Sequence, residues 1–357
     1  MHRCADRAKR LNTSGQITIA GHFLLILLCA MNIGCRAVES AGPFAHEHRT
    51  LTPTPGTPLV GSGDYARPSL PIEVRPEGGL TECIASFNAD VPTGAGVVLE
   101  VAPARSDGSH SLWLRLASWG EVPEAWPDRT QAPGATVAID ELLLEEPAHA
   151  VWVRVVAFDT GEPVRVRRVD VVATRADPTR DLSPAPGARI EWPVPFIPNE
   201  EVDPSLRSRL CSPTALNMLL NHRAPGVRHP RVVETVYSER FDLYGVWPRA
   251  IQTAWQFGVP GSLVRFADWH EVRAHLESVG PIAISITARP GEVRNMPYES
   301  DNGHLIVLAG LTERGDAIVI DPALRNEDEA RRIYRAKDLS KVWLRRKRGT
   351  AYALEGP

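Results

Sequence analysis

Near residue 180 the hydrophobic pattern of this chain changes period, and that change limits the fold more than any other feature. From residue 69 to 177, short apolar runs (GVVLEVAPA, SLWLRLASW, ATVAIDELLL, AVWVRVVAF, VRVRRVDVVA) are separated by turn segments such as PTG, SDGS, APG and DTGEP. Val151, Val153 and Val155 alternate with Trp152 and Arg154, the period of a half-buried strand. The pattern predicts an antiparallel β-sandwich over 69–177. Residues 178–189 are Pro-rich and read as a linker. From 190 to 357 helical and strand patterns mix. SPTALNMLLNHR reads as a helix with Ser212 as its N-cap, Pro213 in the first turn, and Leu216, Leu219 and Leu220 on one face. WPRAIQTAWQFG reads as a second helix, closed by Gly258, and ADWHEVRAHLESVG as a third. PIAISITA, GHLIVLAGLT, AIVIDPA and the terminal AYALEG follow as strands. Helices first and strands later is α+β organisation.

Residues 1–40 stand apart from both domains. Arg3, Arg7, Lys9 and Arg10 precede an apolar stretch from Ile17 to Ile33, the order of a secretory signal peptide. Gly34-Cys35 follows as in a lipoprotein signal, although Asn32 stands where such boxes carry Leu. The expectation is export: secreted, periplasmic, or membrane-anchored through an N-terminal lipid on Cys35. Residues 41–68, with TLTPTPGTPLVGSG, read as a flexible linker. His46 and His48 lie in it without further ligands at metal-binding spacing.

Lys plus Arg total 40 against 43 Asp plus Glu, without long like-charge blocks, which excludes a basic footprint for nucleic acid. The run Arg345-Arg346-Lys347-Arg348 reads as a solvated strand end or turn rather than a phosphate site. Of 5 cysteines only Cys83 and Cys211 lie beyond the signal, in different domains, so this is no disulfide scaffold.

Cys211 is the candidate nucleophile, because a helix start favours the thiolate through its free N–H groups and dipole. His304, after Gly303 at the start of the strand HLIVLAGL, and Asp321, after AIVI, both stand at strand ends. Each alone has an ordinary structural reading: a buried small hydrophobe for Cys211, a turn-starting Asp before Pro322 for Asp321. Together they form the set that activates a thiol for acyl transfer. Phe241, Tyr244 and Trp247 are candidates for a substrate groove or for core.

From Val194 onward the chain resembles the papain-like cysteine peptidases related to bacteriocin-processing, double-glycine-leader peptidases, family thirty-nine of the cysteine peptidases. The residues that carry the resemblance are CSPTALNMLL, YGVWPRAIQTAWQFG, PIAISI, NGHLIVLAGLTERGDAIVIDPA, RRIYRAKDLSKVW and GTAYAL. The resemblance implies a papain-like fold for 190–357, with Cys211 attacking a carbonyl, His304 exchanging the proton and Asp321 orienting the imidazole. ECIASFNADVPTGAGVVLEV and LWLRLASWGE match, more weakly, the exported β-domain that members carry. The family places Gln upstream of the nucleophile as oxyanion donor. Here Asn199, in VPFIPN, is the nearest equivalent, and loss of such a donor costs about 3 kcal/mol of transition-state stabilisation.

The reading is an exported cysteine peptidase-like hydrolase acting on a peptide or protein substrate through a thioester, with no metal or organic cofactor. Its alternatives are a thiol acyltransferase and a weak or inactive peptidase-like binding protein. In the last, Trp113, Trp119, Trp126 and Trp152 of the sandwich would serve a glycan or protein partner.

Overall fold

The computed structural model describes residues 43–52, 67–69, 71–198, 203–298 and 300–356. The signal read at 1–40 and the candidate oxyanion donor Asn199 lie outside the described residues.

The N-terminal part is all strand: β1 (Phe44–Leu51), β2 (Arg67–Pro68), β3 (Ile72–Val74), β4 (Leu80–Asp90), β5 (Gly96–Ala104), β6 (Leu114–Gly120), β7 (Gln131–Ala132), β8 (Ala135–Ala138), β9 (Glu141–Ala148), β10 (Ala150–Phe158) and β11 (Arg165–Ala176). One antiparallel sheet runs β1-β11-β4-β9-β8-β7; a second runs β2-β10-β5-β6, with β3 also on β10. Cys83, Ala85, Phe87 and Ala89 of β4 meet Val97, Leu99 and Val101 of β5 and Val151, Val153 and Val155 of β10 in one apolar core. The alternation visible in the sequence thus faces one sheet onto the other. Residues 44–51, expected within the tether 41–68, instead pair with β11 along their whole length. The Pro- and Gly-rich composition that suggested a tether begins only after this strand.

Trp113, Trp126 and Trp152 are linked across the second sheet. Arg154 stacks 4.2 Å above Trp113 and bonds Glu100, which also accepts from Trp126 Nε1. His110 lies 6.3 Å from Trp152. Trp119 is apart, beneath the Arg249 guanidinium.

The C-terminal part carries β12 (Ile190–Glu191), β13 (Gly261–Arg265), β14 (Ile282–Ala288), β15 (Ser300–Leu311), β16 (Ala317–Ile320), β17 (Arg331–Tyr334) and β18 (Thr350–Leu354). Their sheet runs β13-β18-β14-β15-β16-β17, so the terminal strand is inserted inside it. Leu305, Val307 and Ala309 of β15 join the helices Cys211–Arg223, His229–Val236 and Trp247–Gln256 in one core. Ile306 and Leu308 point the other way, with Trp269, Val272 and Leu276 of the helix Trp269–Ser278. Both faces are covered, which is why HLIVLAGL reads as an unbroken apolar run.

The alternate face of β4 is spent on the C-terminal part. Ile84, with Val172 of β11, enters the core of the Cys211 helix layer. Its polar neighbours complete an edge: β13 ends its sheet, and its free backbone is met by Asn88, which donates to Gly261 O at 3.0 Å and accepts from Gly261 N–H at 3.2 Å. Leu263 N–H reaches Ser86 Oγ at 3.0 Å. An edge strand left bare would be a pairing hazard, and here side chains close it. Gln252 makes a two-way amide pair with the backbone of Ala89, at 2.9 and 2.7 Å. Asp140, pushed up to about 7 by burial, accepts from Trp247 N–H at the start of its helix, where Val246 offers no side-chain cap.

Arg265 is 1% exposed and holds this contact together. It donates to Thr174 Oγ1 at 2.8 Å and to Glu82 at 3.2 Å, and it bonds Glu141. Its carbonyl meets His48 Nε2 at 2.8 Å. The segment 178–189, expected as a linker, has no regular structure but is docked: Gly187 N–H bonds Glu313 O, Arg180 bonds Asp268, and Ala185 is fully buried.

Candidate active site

The helix carrying Cys211 starts two residues earlier than its capping residues suggested. Cys211 itself opens it, because a 3-10 turn, Pro204–Arg209, runs almost directly into it and leaves Leu210 in the cap position. Ser212, expected as N-cap, instead shares a buried hydrogen bond with Tyr352 OH at 2.9 Å. No hydroxyl competes for the first-turn N–H groups. The Ser212 N–H turns to the sulfur of Cys211, as does that of Leu305 on β15.

His304 and Asp321 arrive from neighbouring strands. Antiparallel pairing sets Val307 opposite Ile320, so the start of β15 and the residue after β16 fall at one end of the sheet. Gly303 takes φ +91°, a left-handed conformation that turns the chain just ahead of His304. His304 is 6% exposed and Asp321 fully buried, and His304 Nε2 meets Asp321 Oδ1 at 2.9 Å. That leaves Nδ1 for the Cys211 thiol, which is hydrogen-bonded to the ring and partly exposed. The three residues named from sequence are therefore brought together.

The electrostatics favour a charged pair. Burial works against ionising Cys211, but the hydrogen bond and charge of His304, with the two backbone N–H groups, take the thiol below its ordinary value. Burial likewise opposes protonation of His304, and the Asp321 carboxylate overrides it, with help from Cys211, raising the imidazole to about 10. Asp321 is buried yet held below the usual carboxylate value by the His304 charge, the Tyr298 hydroxyl and Ala323 N–H, the last at 3.0 Å. These shifts describe thiolate beside imidazolium.

Tyr298 was not singled out in the sequence. Its hydroxyl donates to Asp321 Oδ2, and its ring stands edge-on to His304 at 5.3 Å and 88°. It comes from MPYES, a stretch without period, so no local pattern marked it. Tyr298→Phe keeps the ring and removes a donor from a buried carboxylate, and should destabilise the fold by about 1.5–3 kcal/mol in urea unfolding at neutral pH. The bond is strongest with ionised Asp321, whose folded pKa is depressed. The loss should therefore shrink as pH falls below the ordinary carboxylate range.

The other candidates are placed elsewhere. Tyr244 and Trp247 pack on the helical core, and Phe241 lies beneath the Arg240 guanidinium. His229 is 3% exposed against Thr214 Oγ1 at 3.0 Å. Both described cysteines are free, and burial pushes the Cys83 thiol up to about 12. Among the described residues no three His, Cys, Asp or Glu side chains converge as metal ligands.

Residues 192–351 match the Peptidase_C39 like family, and residues 53–174 match the Peptidase C39 N-terminal domain. No curated protein sequence matches. Among solved structures, a candidate C39-like peptidase from Bacillus anthracis overlays with TM-score 0.37 at 16% identity, covering 48% of this chain and 99% of that one. A serine protease of Aeromonas sobria overlays at TM-score 0.22 and 12% identity, covering 37% of this chain and 27% of that one. Residues 192–351 are therefore a Peptidase_C39 like, cysteine peptidase-like domain, preceded over residues 53–174 by a Peptidase C39 N-terminal domain.

Proposed function

We propose that the protein is an exported thiol hydrolase that cleaves amide bonds in a peptide or protein. The observation that carries this reading is the continuous hydrogen-bonded line from Cys211 through His304 to Asp321. The Cys211 thiolate attacks the carbonyl carbon. As the tetrahedral intermediate collapses, His304 gives its proton to the leaving amine, and the acyl group remains on sulfur as a thioester. Water then attacks the thioester while His304 takes its proton, and Cys211 is released. Asp321 keeps the imidazole oriented and stabilises its charge. Asn199 is our candidate donor to the oxyanion. The papain-like arrangement of the domain, the sandwich character of the N-terminal one, and export through residues 1–40, with Cys35 as lipid acceptor, belong to the same proposal.

Incubation with a quenched-fluorescent peptide library, followed by acid quench and intact-mass measurement, tests the reading. Wild type is expected to release fluorescence and to carry an acyl adduct on Cys211, with both lost in Cys211→Ala. Fluorescence that survives Cys211→Ala contradicts it, and an adduct discharged only by added amine favours an acyltransferase.

A further inference from the structure

A groove of about 650 Å³ is lined by Pro198 and by two segments that run into the triad's ends. Arg207 and Ser208 line it four and three residues ahead of Cys211; Pro322, Leu324 and Arg325 line it directly after Asp321. Ala323, also on the wall, is the residue whose N–H holds Asp321 Oδ1. Apart from Pro198, the lining thus stays within four residues of Cys211 or of Asp321 along the chain.

Among the described residues its charge is one-sided. No carboxylate lines it among the described residues. Neither Arg207 nor Arg325 has an ion-pair partner there, and both are exposed. Their neighbours behave differently: Arg209 is bound by Asp242 at 2.8 Å, and Glu327 turns to Arg331 at 3.5 Å. Two unneutralised guanidinium groups, each a planar fork matched to carboxylate geometry, thus face a cleft with apolar Pro and Leu walls. The chain as a whole carries a net charge of -3, so bulk charge does not account for this local excess.

We infer that Arg207 and Arg325 form an acid-selective subsite, so that the substrate is a peptide bearing a carboxylate next to the scissile bond. The inference rests on the thiol hydrolase reading above and adds the substrate class. The carboxylate can belong to an Asp or Glu side chain or to a chain terminus.

The test uses two alkylating probes on the full chain, neutral iodoacetamide and anionic iodoacetate, with the iodoacetate-to-iodoacetamide rate ratio at Cys211 as readout. Because the His304 imidazolium also attracts an anion, the ratio is compared between wild type and Arg207→Ala/Arg325→Ala. In the double variant it should fall about threefold or more at low salt, and the difference should close at high salt. Arg207→Lys/Arg325→Lys should restore it, which separates charge from folding. In wild type, library peptides carrying Glu should be cleaved about tenfold faster than their Gln counterparts at one position. Comparing free-acid with amidated peptide ends then identifies which carboxylate is read.

An unchanged ratio in the double variant, with Cys211 still fast toward iodoacetamide, overturns the subsite and leaves the hydrolase reading standing. A wild-type Cys211 no faster than a free thiol overturns the hydrolase reading and the subsite with it.

Discussion

Replacing His304 with Ala is expected to slow the alkylation of Cys211 at about pH 6.5 by about 100-fold. In the native site the imidazole supplies the hydrogen bond and charge that lower the thiol, while burial pushes it up. Without the ring, burial is the largest influence left. An ordinary thiol with pKa about 8.5 is only about 1% thiolate at that pH, and a desolvated one less. Amide cleavage should fall further, because the proton donor to the leaving amine is removed as well, and losses of about 10⁶ accompany removal of such a unit in comparable hydrolases. Rate measurements across pH on His304→Ala should show the whole profile displaced upward. A profile that keeps its acidic position would mean that something other than His304 ionises Cys211.

The second large effect is on stability. Arg265→Met should destabilise the protein by about 3–5 kcal/mol in denaturant unfolding, because it strands buried carboxylates without their counter-charge. Glu141 is buried, but Arg265 and Arg348 hold it down to about 2. Glu82, desolvated and repelled by Glu141, is pushed up despite the same arginine. In wild type the depressed Glu141 adds stability above the ordinary carboxylate range, lost as pH falls toward about 2. With Arg265 gone, burial raises that pKa, and charging Glu141 then works against folding. The penalty should therefore grow as pH rises through the range from about 4 to 7 and be smallest in acid. Because Arg265 bonds residues of both domains, the two should unfold in one transition.

Much of the C-terminal layout was legible because local and global signals agree there. The run HLIVLAGL is apolar throughout since both of its faces are covered, and Leu216, Leu219 and Leu220 repeat at helical spacing on a buried face. Cys211, His304 and Asp321 could be named because element ends expose side chains while rigid elements fix them. The contact between the domains was not legible. Ser86, Asn88 and Glu82 look like the solvated side of a strand, and only the partner's edge at Gly261 and Leu263, with Arg265, makes them buried bonding groups. The strand Phe44–Leu51 was hidden for a similar reason: its partners on β11 are 118 to 132 residues away in sequence, beyond any local period. Tyr298 was invisible because its role depends on a loop bringing its hydroxyl to Asp321, and a single Tyr in an aperiodic stretch carries no such mark.

The central claim is that Cys211 rests as a thiolate beside a protonated His304. The ultraviolet difference absorbance of the thiolate, measured between wild type and Cys211→Ala across pH, reads this directly. A step well below the ordinary thiol value of about 8.5 is expected, with the imidazolium persisting above it and the step displaced upward in His304→Ala. A wild-type step at or above about 8.5, unmoved by His304→Ala, would contradict it.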